Sequence, residues 1–254
     1  MAIEEIIRTK TGIQGLDKAL NGGFPNGNLV LISGGAGTGK STLCLQFIVN
    51  GAALFGEKGL YLSTEQSREE LYKQAGAFNW RLQDLEQRGL IKIVYYDPTD
   101  SGSFPETFNQ AVEQFKPKRV VVDSLTTLTD SLLISGISDD KAFSLVQIAE
   151  TVSPIQRTDQ IVTKHVLYSL FKVLKQFKTT TLLTTEMPED GKTLSADGVS
   201  EFIADGVVIL HYVGVGSVDF RSLAVRKMRY TDHAKSTLAY AIEPSGIVIK
   251  ESEI

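Results

Sequence analysis

The stretch SGGAGTGKST, residues 33–42, constrains this chain more than any other. Gly34, four further residues, then Gly39, Lys40 and Ser41 satisfy GxxxxGK[ST], the phosphate-binding P-loop pattern, which needs a strand before it and a helix after it. The flanks supply both. NLVLIS, residues 28–33, is an apolar run, and KSTLCLQFIVNGAALFG, residues 40–56, reads as a helix. Glycines at 34, 35, 37 and 39 let backbone N–H groups turn inward around phosphate oxygens without Cβ clashes. The nucleotide contacts are therefore assigned to Gly34, Gly35, Ala36, Gly37, Thr38, Gly39, Lys40, Ser41 and Thr42. Lys40 is expected to reach the outer phosphates, and the Ser41 hydroxyl to ligand Mg2+. An ordinary glycine turn would leave the lysine at this position unexplained.

The rest of the chain repeats the strand-then-helix rhythm. GLYLST (59–64), IKIVYY (91–96), RVVVDS (119–124) and TTLLTT (180–185) are short apolar runs. Between them lie helical patterns such as SREELYKQAGAF, which opens with a Ser67/Glu70 capping box, and PETFNQAVEQF. Apolar strands separated by helices predict an α/β fold with a mostly parallel central sheet covered on both faces. After Glu186 the rhythm changes to DGVVILHYV, FRSLAVRKMRY, STLAYAIE and GIVIKE with short turns, which predicts an antiparallel C-terminal β extension over 205–250. With 254 residues, 42% of them hydrophobic, one domain spanning 1–254 can bury a large core. Residues 131–164 break the pattern and read as an inserted excursion: SGISDD as loop, KAFSLVQIAETV as helix, and Pro154 as an interruption.

A P-loop needs an acidic group for its magnesium, usually at the carboxyl end of a buried strand. Asp123, ending RVVVD, fits that place better than it fits a helix N-cap. Hydrolysis also needs a group to orient or deprotonate water, and Glu65, closing the strand after the P-loop helix, is the candidate. The alternative for Glu65 is a solvated acid at a helix start. In SLAVRKMRY, strict alternation would set Leu223, Val225, Lys227 and Arg229 on one face, with two cations side by side. Such a pair suits stabilisation of phosphoryl charge on a neighbouring subunit's nucleotide. It equally suits a solvated basic strand or nucleic-acid phosphates, since Arg221, Arg226, Lys227, Arg229 and Lys235 lie close in sequence. Spacing alone leaves these three open.

Composition excludes several classes. The net charge of −4 gives no global basic field for nucleic acid or acidic membranes. The single cysteine, Cys44, has no partner in the chain, and the three histidines show no metal-ligand spacing. Cys44 is expected to be a small buried hydrophobe, and Phe78 and Trp80 are expected to pack a core. The start MAIEEIIRTK lacks a secretory pattern, and no apolar stretch approaches the ~20 residues of a membrane span, so a cytoplasmic protein is expected.

Taken in order, TGIQGLDKALNGGFPNGNLVLISGGAGTGKSTLCLQFIVNGA, GLYLSTEQS, VVVDSLTTL, TTLLTTE, EFIADGVVIL and RKMRYTDH resemble the KaiC-like ATPases of the RecA superfamily. The resemblance implies a RecA-like P-loop fold assembled as a homo-oligomeric ring, commonly a hexamer, with ATP and Mg2+ held between subunits. It implies roles for Lys40 and Ser41 at phosphate and metal, for Asp123 at the metal, for Glu65 as catalytic carboxylate, and for Lys227 and Arg229 as the pair reaching a neighbour's γ-phosphate. His233 lies in the matching segment without an assigned role. Two departures stand out. Many members carry two consecutive glutamates where this chain has Glu65 and Gln66, and the hydroxyls that the family's two-domain clock member phosphorylates are replaced by Glu201 and Phe202. The expectation is a slow ATPase without autokinase activity. Its rivals are a DNA-dependent RecA-like recombination ATPase, motivated by the basic cluster, and a non-hydrolysing ATP-binding scaffold, motivated by Gln66.

Overall fold

All five apolar runs before Glu186 form strands, and their parity sorts the core into two layers. The computed structural model describes residues 6–97, 103–137, 157–188, 191–215 and 218–250. Its elements run β1 (Arg8–Thr9), α1 (Leu16–Ala19), β2 (Phe24–Pro25), β3 (Leu29–Gly34), α2 (Lys40–Phe55), β4 (Gly59–Ser63), α3 (Arg68–Ala77) and α4 (Leu82–Gln87). There follow β5 (Ile91–Tyr95), α5 (Phe104–Phe115), β6 (Arg119–Asp123), α6 (Leu125–Ile137), α7 (Arg157–Lys175), β7 (Thr180–Glu186) and α8 (Ser200–Ile203). The chain closes with β8 (Gly206–Val215), β9 (Val218–Met228), β10 (Leu238–Glu243) and β11 (Gly246–Ile249).

Nine strands form one sheet in the order β11-β10-β9-β8-β3-β7-β6-β4-β5, beside a two-stranded β1-β2 ribbon. From β8 to β5 every neighbour is parallel; from β8 to β11 every neighbour is antiparallel. The antiparallel extension begins at β8, which pairs in parallel with β3 on one side and antiparallel with β9 on the other.

Alternation sends Val30, Ile32, Tyr61, Val121 and Leu182 to one face, where they pack with Leu43, Cys44, Phe47 and Ile48 of α2. Leu29, Leu31, Leu60, Leu62, Val120, Val122 and Leu183 go to the other, against α5, α6 and α7. Cys44 is fully buried there as expected, and Phe78 stacks on Trp80 at 4.7 Å, with Trp80 packed against the α2-side core. The α3 start carries the expected capping box, Ser67 accepting from the Glu70 N–H while the Glu70 carboxylate accepts from Ser67.

Of the expected excursion, residues 131–137 continue α6 and 157–164 open α7, while KAFSLVQIAETV and Pro154 lie outside the described residues. The α6 sequence LTTLTDSLLISGI mixes threonines with an apolar surround and so lacks a clear amphipathic stripe. Its packing through Leu125 and Leu128 is decided by the sheet beneath it.

Arg119, 1% exposed, locks α2 to the start of β6. Its guanidinium donates to Glu57 at 2.8 and 2.6 Å and to the Phe47 carbonyl at 3.1 Å, and it lies over the Phe47 and Phe55 rings. This clamp holds the P-loop helix and the strand ending in Asp123 in fixed relation.

Candidate functional site

The P-loop sits where β3 meets α2, at the carboxyl ends of the parallel strands. Gly39 is the N-cap of α2 with φ 93° and offers no side-chain cap, so the first-turn amides are not tied up by a capping side chain. Gly34 is required by space: a Cβ there would lie 2.5 Å from the Leu210 carbonyl oxygen. The Lys40 amine donates to the Gly34 and Gly35 carbonyls at 2.8 and 3.0 Å. Burial lowers the Lys40 pKa, and three carboxylates oppose that shift in the order Glu186, Asp123, Glu65.

Asp123 and Glu186 end their strands, and Glu65 lies two residues beyond the end of β4. Asp123, 3% exposed, accepts from Tyr61 Oη at 2.6 Å on Oδ2 and from Thr184 Oγ1 at 2.5 Å on Oδ1. Burial and the Asp123 charge push the Tyr61 pKa well up, so the phenol keeps its proton as donor. Glu65 is held on Oε1 by the hydroxyls of Ser124 at 2.5 Å and Thr127 at 2.9 Å. Its approach does not come from direct adjacency of β3 and β4, since β7 and β6 lie between them. The shared carboxyl edge of the sheet brings it near. Gln66, next to it, keeps its side-chain carbonyl oxygen buried without a partner among the described residues.

Glu186, which the sequence motifs do not mark, is the largest of the three acidic influences on Lys40 and pairs in register with Gly34. The available signal was repetition: RVVVD, GLYLSTE and TTLLTTE each carry an apolar run into a carboxylate. Arg221, close in sequence to the other cations of the basic cluster, belongs to this end of the molecule. It donates to the Gly37 carbonyl at 2.6 Å and lies over the Tyr212 ring at 4.2 Å. Tyr240 also braces the loop, donating to the Thr38 carbonyl at 2.5 Å.

Lys227 and Arg229 lie elsewhere. Lys227 pairs with Val207, which is level with Leu31 of β3, so the cations sit roughly 10 Å or more back along the strands from Gly34. Lys227 donates to the carbonyls of Glu201, Phe202 and Ala204, and Arg229 forms an ion pair with Asp205 at 2.9 Å, as does Lys175 at 3.0 Å. Burial first, then the neighbouring Arg229 charge, lowers the Lys227 pKa. A bulge between Val207 and Val208 leaves Arg226 without an opposite residue in the β8–β9 register. Met228 therefore joins Leu223 and Val225 in the α2-side core, and Lys227 falls on the other face, contrary to strict alternation. The two cations remain neighbours, as expected.

The donors present suit magnesium. Ser41 and Asp123 offer only hard oxygen ligands, and among the described residues no three metal-binding side chains form a cage. Mg2+ characteristically takes one or two protein oxygens and completes its shell with water and substrate phosphates.

A family model described as the KaiC ATPase matches residues 9–147 and 141–254. The circadian clock oscillator protein KaiC of Nostoc is 31% identical over 252 residues, covering 95% of this chain and 44% of that protein. The protein of the same description from Synechococcus elongatus is 31% identical over 256 residues, covering 97% and 44%. The chain thus spans less than half the length of these curated relatives. The crystal structure of a KaiC-like protein from Pyrococcus horikoshii superposes with a TM-score of 0.78 at 32% identity, covering 97% of this chain and all of that one.

Proposed function

The chain belongs to the KaiC family of ATPases, and from that premise we propose that it binds ATP with Mg2+ at the P-loop and hydrolyses it slowly at contacts between subunits. The working form is one ATPase domain repeated in a cytoplasmic homo-oligomeric ring, six-membered as the family resemblance implies. The observation that carries this reading is the division of the machinery. Lys40 shares one end of the sheet with Asp123, Glu65 and Glu186, whereas Lys227 and Arg229 lie at the other end. Cations that sit too far back to serve their own P-loop suit a role at another copy's.

The side chains divide the work accordingly. The P-loop amides and Lys40 hold the triphosphate, with Lys40 exchanging its two carbonyl partners for phosphate oxygens. Ser41 and Asp123 would hold Mg2+, whose charge would offset the negative charge developing on the phosphate. Glu65, restrained through Oε1, would present Oε2 to the attacking water and take its proton. Arg229 of a neighbour would release Asp205 and meet the phosphoryl oxygens. Glu201 accepts from the Leu194 N–H at 3.1 Å and from the Ser195 hydroxyl, a structural role that supports the absence of autophosphorylation at 201–202. The nucleic-acid reading loses its motive because the basic cluster divides between the two ends, with Arg229 paired to Asp205 and Lys235 to Asp232.

Mixing tests the shared site. Lys40→Ala and Arg229→Ala proteins should each be inactive, yet co-assembled at equal ratio they should regain turnover at about a quarter of their contacts. Recovery that never exceeds the separate proteins would defeat the shared-site reading. Single-stranded DNA should leave wild-type turnover unchanged.

A further inference from the structure

Tyr61 is fully buried in the middle of β4, on the α2 face of the sheet, where a phenylalanine would fill the same apolar volume. Its hydroxyl is the one polar atom the position carries, and that hydroxyl donates to Asp123 Oδ2 at 2.6 Å. Thr184, also fully buried, donates to Oδ1 at 2.5 Å from the opposite flank. The two donors belong to the strands on either side of β6, so they grip the carboxylate from both sides. Tyr61 pairs in register with Val121, two residues before Asp123, and the length of the phenol spans that offset. Each carboxylate oxygen spends one acceptor direction on a neutral donor and keeps another. The plane of the carboxylate is thereby set by two rigid strands instead of by its own torsion.

We propose that Tyr61 is a positioning residue for the nucleotide-bound Mg2+, aiming Asp123 through the Oη to Oδ2 hydrogen bond, with Thr184 as the opposing restraint. This rests on Asp123 being the magnesium residue of the P-loop site. The physical reason is the rigidity of the ion. Mg2+ demands near-octahedral geometry, whereas Ca2+ accepts variable coordination, so slack in Asp123 penalises Mg2+ more than Ca2+. Outer partners of metal-site ligands fix their orientation, and their loss costs about tenfold or more in metal affinity.

Equilibrium dialysis of ATP against the full-length protein, with Mg2+, with Ca2+ or with EDTA, tests the assignment without relying on turnover. Tyr61→Phe should weaken ATP binding in Mg2+ about tenfold, weaken it less in Ca2+, and leave binding in EDTA unchanged. Thr184→Val should show the same order of effects. Unaltered affinities in all three conditions would make Tyr61 a core filler, and equal losses in all three would make it a general packing residue; either result overturns the proposal. A wild-type protein that binds ATP no better with Mg2+ than with EDTA would instead remove the metal role of Asp123, and the proposal with it.

Discussion

The two ends of the β8–β9 ribbon differ in a way that strand composition does not suggest. At one end Arg221 and Tyr212 lie beside the P-loop, where strand ends from β3, β4, β6 and β7 converge. At the other, Lys227 and Arg229 spend their charge on the carbonyls of Glu201, Phe202 and Ala204 at the end of α8 and on Asp205. The first end is assembled within one chain. The second is tied down within its own chain, and only in the proposed assembly do its cations serve a second copy. The basic cluster is therefore not one feature: its five cations separate into a loop brace, a bulge residue, a capped pair and Lys235, which pairs with Asp232.

The largest expected effect is that of Arg229→Ala, which should lower turnover about a thousandfold while leaving ATP affinity within about twofold. Turnover assays beside dialysis would show it, and normal turnover would return Arg229 to an ordinary ion pair with Asp205. Next in size, Glu65→Gln should cost about a hundredfold in turnover with ATP binding intact, measured in single-turnover hydrolysis. An unchanged rate would move water activation to Glu186.

A smaller effect concerns protons. Burial holds the Lys40 pKa below the ordinary lysine value, so at alkaline pH the folded chain binds fewer protons there than the unfolded chain. The contribution of Lys40 to stability consequently rises with pH between its lowered pKa and 10.5. Triphosphate favours the charged amine, so ATP binding should take up as much as about one proton per site in that window. Calorimetry in buffers of different ionisation enthalpy reads this uptake, which Lys40→Met should abolish. Smallest is Ser67→Ala, expected to lower stability by about 1 kcal/mol in denaturant titration without changing turnover. A fall in turnover would show that the α3 cap, and not the Ser124 and Thr127 hydroxyls, orients Glu65.

The sequence by itself determined the local pieces. GxxxxGK[ST] specified the loop, the apolar runs specified the strands, and the Ser67/Glu70 spacing specified the α3 start, because each is a short-range pattern whose physics is complete within about ten residues. RVVVD and GLYLSTE also marked Asp123 and Glu65 as strand-end carboxylates. Only the tertiary structure decided which ends meet. The β3-β7-β6-β4 order places Glu65 by way of two intervening strands and sets Glu186 beside Gly34. One extra residue at the β9 bulge moves Lys227 off the core face occupied by Leu223 and Val225. Strand order and register depend on pairing between segments far apart in the chain, and a side-chain period of two makes a one-residue shift reverse every face beyond it.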